Sequence, residues 1–254
     1  MARTEIKSTT TCFAIIEAVR RNGDAGISEL ARDVGISKSG VYKHVQTLSR
    51  LGYLVRRGDR YHLSLRFLTL GTRARERLPY DIVEPVVARL AETTGHAAYF
   101  SVRENDRAVY ACRADPSESA PAKRTEGEIV PLHATSDGKA ILANLDGATR
   151  EEILDRTGLP ACTDKTITDR SALDRELQSI RDKRASFDRE EYVRGCQSVA
   201  SPVLRDDGTP VGAVSVTGTV QRMSGKRLEE DVVGLTISAA KRIEKETRRS
   251  PTVS

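Results

Sequence analysis

No stretch of the sequence approaches the roughly 18 to 20 consecutive apolar residues that a membrane-spanning helix requires. No secretory leader is expected either: Met1 to Thr11 is polar, and the apolar stretch Cys12 to Val19 is short and broken by Glu17. The expected compartment is the cytoplasm, with no membrane partner. Cysteine is scarce and scattered. Cys12, Cys112, Cys162 and Cys196 form neither a CxxC pair nor a Cys/His cluster, so neither a zinc ribbon nor a disulfide framework is indicated. They are expected as reduced thiols, mostly buried, and no metal or cofactor is implied. Only four histidines exist, and two of them, His44 and His62, fall in the N-terminal quarter, which leaves little imidazole for chemistry elsewhere.

What is present is a chain of 254 residues, 38% hydrophobic and 30% charged, long enough to bury one large core or two. Its net charge of +5 is unevenly spread. Residues 1 to 78 hold 15 Lys+Arg against 7 Asp+Glu, a balance of +8, whereas the remainder holds 26 against 29, a balance of −3. Positive potential concentrated on one small region is the electrostatic footprint of phosphate-backbone binding, with an ordinary solvated basic surface as the plainer alternative.

Within that region, Ile27 to Leu63 reads as two short helices across a tight turn, followed by a two-stranded hairpin. A helix over Thr11 to Arg21 precedes it, with Phe13, Ile16, Ala18 and Val19 as its buried stripe and Asn22-Gly23 as its stop. Ser28 is the expected cap of the second helix, Glu29 suits its positive first turn, Leu30, Ala31 and Val34 point inward, and Gly35 supplies the left-handed residue at its end. Ser37 caps the third helix. At about 100° per residue, Val41, Val45 and Leu48 fall on one face of that helix and Ser39, Lys43, Gln46 and Arg50 on the other. Lys38, Ser39, Tyr42, Lys43, Gln46 and Thr47 are then the side chains nearest a major groove, while Arg50 suits a phosphate. Tyr53 to Val55 and Tyr61 to Leu63 form the hairpin, whose turn brings Arg56, Arg57 and Arg60 to the tip of a wing that either contacts DNA or is an exposed hairpin.

Leu65 to Leu78 continues as a helix that stops at Pro79 and reads as a connector. Tyr80 to Thr94 is a helix closed by Gly95, with Val83, Val86, Val87 and Leu90 as its apolar positions. Ala97 to Val102 and Ala108 to Arg113 form a β-hairpin, and Asp115 to Glu128 is loop. A helix begins near Thr135, so that the amides of Ser136 to Lys139 are expected to point outward as an anion-accepting terminus. Ser171 to Arg184 is an amphipathic helix, Cys196 to Leu204 and Val211 to Thr219 are strands, and Leu228 to Ile243 is the final helix. This half is α+β. Ser215 and Thr217 lie on one face of their strand, where they serve either a ligand or a strand-face hydrogen bond.

These residues resemble the IclR-type transcriptional regulators over nearly the whole chain: the winged helix-turn-helix, the connecting helix, PLHATSDGKAILANL (Pro131 to Leu145), TDKTITD (Thr163 to Asp169), SFDREEYVRGCQSVASPV (Ser186 to Val203) and GAVSVTG (Gly212 to Gly218). The resemblance implies a winged helix-turn-helix DNA-binding domain over 1–64, a linker helix over 65–78 and a GAF-like effector-binding domain over 79–254. It implies double-stranded operator DNA as partner, a homodimer or tetramer, and a small effector that is a carboxylate, sugar or polyol metabolite. Carried over by position, the effector site comprises Ala122, Ser136, Asp137, Gly138, Asp188, Cys196, Ser198, Ser215 and Thr217. Ser198 stands where many members carry a cysteine, and Asp137 where a small residue is usual. Because Asp137 and Asp188 would repel a carboxylate, a hydrogen-bonding polyol or sugar-like effector is favoured.

Two other readings compete with a metabolite-responsive regulator of catabolic genes. Gly138-Lys139 resembles a phosphate loop, but His133 takes the place of its first glycine and Ala140 that of the magnesium-binding Ser or Thr. Ser136, His133 and Asp188 could be imagined as a hydrolase triad, yet no GxSxG elbow presents the serine. No catalytic residue is assigned, and the protein is expected not to be an enzyme. A winged-helix adaptor that binds protein instead of DNA is the remaining alternative, distinguishable by salt dependence.

Overall fold

The computed structural model describes residues 5–116, 124–223 and 231–249. The chain divides into two compact units, Met1–Arg77 and Leu78–Ser254. In the first, α1 (Lys7–Asn22), β1 (Ala25–Gly26), α2 (Ile27–Val34), α3 (Lys38–Arg50), β2 (Leu54–Arg57), β3 (Arg60–Leu63) and α4 (Arg66–Arg75) follow in order. The three helices α1 to α3 enclose a core of Ile15, Ala18, Val19, Leu30, Val41 and Val45, closed by Leu54 and Tyr61 of the hairpin. The hairpin gains a third strand in β1, giving the order β1-β3-β2.

Local chemistry accounts for most of these boundaries. Ser37 Oγ accepts from Gly40 N at 3.1 Å and so caps α3. Gly35 ends α2 at φ +73°, ψ +32°, a conformation that a β-carbon would disfavour. Two expectations fail. The cap of α2 is Gly26, not Ser28, and its amide donates to the Glu29 carboxylate at 3.0 Å. Phe13 is 62% exposed, because at about 100° per residue it falls on the side of α1 away from the buried Ile15, Ile16, Ala18 and Val19. On α4, Arg66 lies over Tyr53 and donates to Leu51 O, while Leu65, Leu68 and Leu70 face solvent.

The second unit contains α5 (Tyr80–Thr94), β4 (Ala97–Glu104), β5 (Arg107–Ala114), β6 (Ile129–Pro131), α6 (Ser136–Ala143), α7 (Gly147–Thr157), α8 (Arg170–Lys183), β7 (Ser186–Arg189), β8 (Cys196–Leu204), β9 (Pro210–Thr219) and α9 (Val233–Arg249). The six strands form one antiparallel sheet, β6-β5-β4-β9-β8-β7. Alternation along the strands sends Phe100, Val199, Val214 and Val216 to the face packed by α5 and α9. Tyr99, Tyr110, Ala200 and Ala213 go to the opposite face with Ile141 and Leu142 of α6 and Leu173 and Leu177 of α8. A sheet covered by helices on both faces is the α+β architecture expected. Strands β1, β6 and β7 and helix α7 are additions to the expected elements. The expected final helix starts at Leu228, which lies outside the described residues; the described helix runs six residues past Ile243, to Arg249.

Candidate nucleic-acid interface and buried polar site

The outer face of α3 is built as expected from its periodicity. Lys38, Ser39, Tyr42, Lys43, Gln46, Thr47 and Arg50 are all exposed, and Val41, Val45 and Leu48 are buried beneath them. Tyr42, Lys43, Gln46 and Arg50 line a cleft shared with Arg56 of the hairpin. Gln46 Nε2 donates to Tyr42 Oη at 2.5 Å, which holds two exposed side chains one turn apart in a fixed relation. Thr47 differs: its hydroxyl donates to Lys43 O at 2.9 Å and is engaged by its own helix.

The wing arginines separate into two groups. Arg56 and Arg57 are exposed in β2, with Arg56 Nε donating to Gly58 O in the turn. Arg60 instead is half-buried at the start of β3. Its Nε donates to Asp24 Oδ1 at 2.6 Å and its Nη2 to Glu29 Oε2 at 2.9 Å, so that one guanidinium ties the wing to the start of β1 and to α2. Hydrogen bonds from Gly26 and Arg60 hold the Glu29 carboxyl below its ordinary range. A further tie joins α1 to α3, where Cys12 Sγ lies 3.2 Å from His44 Nδ1.

In the second unit the sheet gathers residues that are far apart in sequence. One row across the strands reads Ala97, Thr217, Ser198, Asp188, and the next reads Tyr99, Ser215, Ala200, Ser186. Strand parity puts Asp188, Cys196, Ser198, Ser215 and Thr217 on the face that α6 covers. From α6 itself, Ser136 Oγ lies 2.7 Å from Ser198 Oγ, and Asp137 Oδ1 accepts from Ser101 Oγ at 3.1 Å. Eight of the nine expected effector residues are therefore brought onto one helix–sheet interface. The ninth, Ala122, lies outside the described residues.

The N-terminus of α6 does not point outward. Every residue from Ser136 to Ala143 is buried, and Gly138 N donates to Thr135 Oγ1 at 3.1 Å, which caps the helix internally. The helix lies so close to the preceding segment that a β-carbon on residue 138 would stand 2.4 Å from Leu132 O, so only glycine fits. Lys139 is equally internal. Its Nζ donates to both oxygens of Glu191 at 2.6 and 2.8 Å and to Glu176 at 3.1 Å, which is the bonding of a structural lysine and not of a phosphate-loop lysine. No triad forms either: His133 Nε2 lies 3.0 Å from Pro160 O, and among the described residues Ser136, His133 and Asp188 share no hydrogen bond. Nor do the described residues hold a group of three His, Cys, Asp or Glu placed to bind a metal ion.

Burial governs the charge state of the site. Asp188 is 1% exposed, and loss of solvation, followed by repulsion from Glu191, pushes it up to about 7, although its Oδ1 accepts from the amides of Glu191 and Tyr192. Asp137 is also raised by burial, with Ser215, Arg124 and Ser101 drawing it partly back. Sequence reasoning missed the cation among these groups. Arg124, expected as part of a loop rich in Pro, Ser and charge, is 3% exposed, with its guanidinium 4.7 Å from the Tyr192 ring centroid and 5.4 Å from that of Tyr110. Desolvation works against its charge, but Tyr110, Asp137, Asp188 and Tyr192 together outweigh that and keep it protonated. Nothing local marks an arginine in a Pro-, Ser- and charge-rich loop as buried. The inward alternation of Tyr99 and Tyr110 along their strands is the one nearby sequence signal.

Comparison with known proteins agrees with both halves. Residues 12–58 match the IclR helix-turn-helix domain, and residues 80–245 match the C-terminal domain of the bacterial transcriptional regulator IclR. The HTH-type transcriptional regulator KdgR of Escherichia coli is 31% identical over 242 residues, covering 93% of this chain and 91% of that protein. The crystal structure of the Thermotoga maritima IclR superposes with a TM-score of 0.79 at 26% identity, covering 95% of this chain and 99% of that one. An IclR homologue from Microbacterium hydrocarbonoxydans, solved in complex with 4-hydroxybenzoate, has the same fold at a TM-score of 0.76 and 23% identity, covering 94% of this chain and 100% of that one.

Proposed function

The chain belongs to the IclR family of transcriptional regulators, and from that premise we propose that it is a metabolite-responsive regulator of catabolic genes whose second unit binds a small effector. The observation that carries this reading is the pairing of two sites in one chain: a solvent-facing basic recognition helix and a buried polar site between α6 and the sheet. In the first, Lys43, Tyr42 and Gln46 meet base edges, with Lys38 and Ser39 at the helix start, while Arg50, Arg56 and Arg57 neutralise phosphates. Arg60 holds the wing in position through Asp24 and Glu29, and Thr47 acts through its methyl group, since its hydroxyl is engaged by Lys43 O.

In the second site, Ser136, Asp137, Asp188, Cys196, Ser198, Ser215 and Thr217 supply the polar lining. Gly138 permits the close approach of α6 and makes no contact of its own through its capped amide. Effector binding shifts the population of the second unit between states that differ in effector affinity, and the segment Leu65 to Leu78 transmits that preference to paired reading heads. Pairing two heads on two half-sites raises operator affinity without a new kind of contact. The apolar side chains that unit one leaves in solvent, Phe13, Leu65 and Leu68 among them, support self-association as a dimer or tetramer. The protein works in the cytoplasm; among the described residues no helix is long and apolar enough to cross a membrane. Catalysis has no support in the bonding of Ser136, His133 and Lys139 described above.

The test is an operator titration. Genomic footprinting identifies the bound sequence, and anisotropy with that duplex is expected to show affinity falling steeply with added salt and changing when an effector is present. Binding that ignores salt would refute the DNA interface, and identical affinity with every candidate effector would refute the coupling.

A further inference from the structure

Arg124 is the feature that the reading above leaves unexplained. Its side chain is buried, yet Nε and Nη1 have no hydrogen-bond partner among the described residues. A buried donor without an acceptor is unfavourable, and a charged one more so. Tyr110 and Tyr192 stabilise the charge through their ring faces, but a ring face does not replace an oxygen acceptor for the N–H groups. The nearby carboxyls do not serve either: Asp137 is bonded to Ser101, and Asp188 accepts from two backbone amides. Among the described residues, neither makes an ion pair with Arg124. The fold therefore holds a desolvated cation beside two carboxyls that burial biases toward the protonated form.

We propose that Arg124 is the anion anchor of the effector site and that the effector is a hydroxycarboxylate, with its carboxylate on the Arg124 guanidinium and its hydroxyl groups on Asp137 and Asp188. This rests on the effector-site reading above and names its ligand class. The two carboxyls that argued against an acidic effector become its hydroxyl partners once a cation stands near them. A carboxylate supplies the acceptors that Nε and Nη1 lack, in charge-assisted bonds that strengthen in a site closed to water. A carboxyl group at Asp137 or Asp188 pairs with a ligand hydroxyl in either protonation state, as acceptor when ionised and as donor or acceptor when protonated. A neutral polyol would leave the guanidinium charge uncompensated, and an acid without hydroxyls would add nothing at Asp137 and Asp188.

Calorimetric titration of the full chain tests this with matched probes of two skeletons. Gluconate represents the chain type and 4-hydroxybenzoate the ring type; each is compared with its primary amide, gluconamide or 4-hydroxybenzamide, and with hexanoate or benzoate, which lack the hydroxyls. At least one hydroxy acid is expected to bind about 10- to 100-fold more tightly than both its amide and its deoxy counterpart, and the skeleton that binds identifies the source. Arg124→Met is expected to reduce the acid's affinity to that of the amide, with Arg124→Lys intermediate; the amide comparison on the unaltered protein needs no variant to fold. Equal binding of acid and amide, undiminished acid binding by Arg124→Met, or no binding by either hydroxy acid would overturn the proposal. Operator titrations with the same compounds separate the two readings. Acids that bind through Arg124 without altering operator affinity sink the regulatory coupling alone, whereas an operator response to neutral polyols only sinks the Arg124 assignment alone.

Discussion

Replacing Asp188 with asparagine should make the second unit more stable at alkaline pH, by an amount that the burial of this carboxyl sets. In the unfolded chain its pKa lies near 3.9; in the fold it is pushed up to about 7 by desolvation and by Glu191. A raised carboxyl pKa means that the native state holds its proton longer than the unfolded state does. Its contribution is therefore fully favourable below pH ~4, declines as pH rises toward about 7, and is constant above that. A gap of about three units at 1.36 kcal/mol each gives an upper limit of roughly 4 kcal/mol across the window. Asparagine removes the titration with little change of shape, and its single amide oxygen can accept from both the Glu191 and Tyr192 amides, since both bonds end on Oδ1. The assay is urea unfolding of both proteins at pH 5 and pH 8, followed by far-UV circular dichroism. The expected result is a stability difference, variant minus parent, that is larger at pH 8 than at pH 5 by about 2 to 3 kcal/mol, the part of the window that lies above pH 5. Parallel pH profiles for the two proteins, or a variant that loses more stability at pH 8, would show that Asp188 is ionised at little cost and that the burial argument is wrong.

Other perturbations test separate parts of the structure. Lys139→Met leaves Glu191 and Glu176 without their buried cation and should cost about 3–5 kcal/mol in chemical denaturation, more at pH 8 than at pH 5 because Glu191 must then be ionised. Gly138→Ala drives a methyl group against the Leu132 backbone; a loss at or above the upper end of about 1–3 kcal/mol is expected, and a silent substitution would contradict the close approach. Lys43→Ala should change which operator variants are preferred in a competition assay, whereas Arg57→Ala should weaken all duplexes alike and reduce the salt slope by about one. Identical changes of sequence preference in the two variants would remove that division of roles.

The DNA-facing half was largely legible because its signals are local. The Ser37 cap, the Gly35 stop and the spacing of Val41, Val45 and Leu48 each involve residues within one or two turns of one another. The failures there have local causes too. Glu29 reaching back to Gly26 displaced the Ser28 cap, and helical spacing puts Phe13 on the side of α1 away from Ile15, Ala18 and Val19. Arg60 was placed with the wing cations because its charge is visible in sequence, while Asp24 and Glu29, which face it, lie more than thirty residues away.

For the second unit, strand parity alone placed Ser215 and Thr217 together, and motif resemblance named Ser136, Asp137, Asp188, Cys196 and Ser198. Neither could say that α6 is enclosed from end to end, so the outward anion-binding terminus did not materialise. Polarity suggested an acid-repelling pocket because only its carboxylates were visible. The arginine that alters this balance sits in a loop whose composition resembles any solvated surface segment.

By itself, then, the sequence determined most of the elements and the apolar faces of α3 and α5, the concentration of positive charge on the first 78 residues and the family, all of which depend on neighbours along the chain or on ordered motifs. Tertiary structure alone decided which polar groups meet: the row Thr217, Ser198, Asp188 across three strands, Lys139 between two glutamates, and Arg124 between two tyrosines. The reason is that strand register joins residues distant in sequence, and that a side chain's charge, partner and proton affinity follow from the water removed around it, which only the assembled fold specifies.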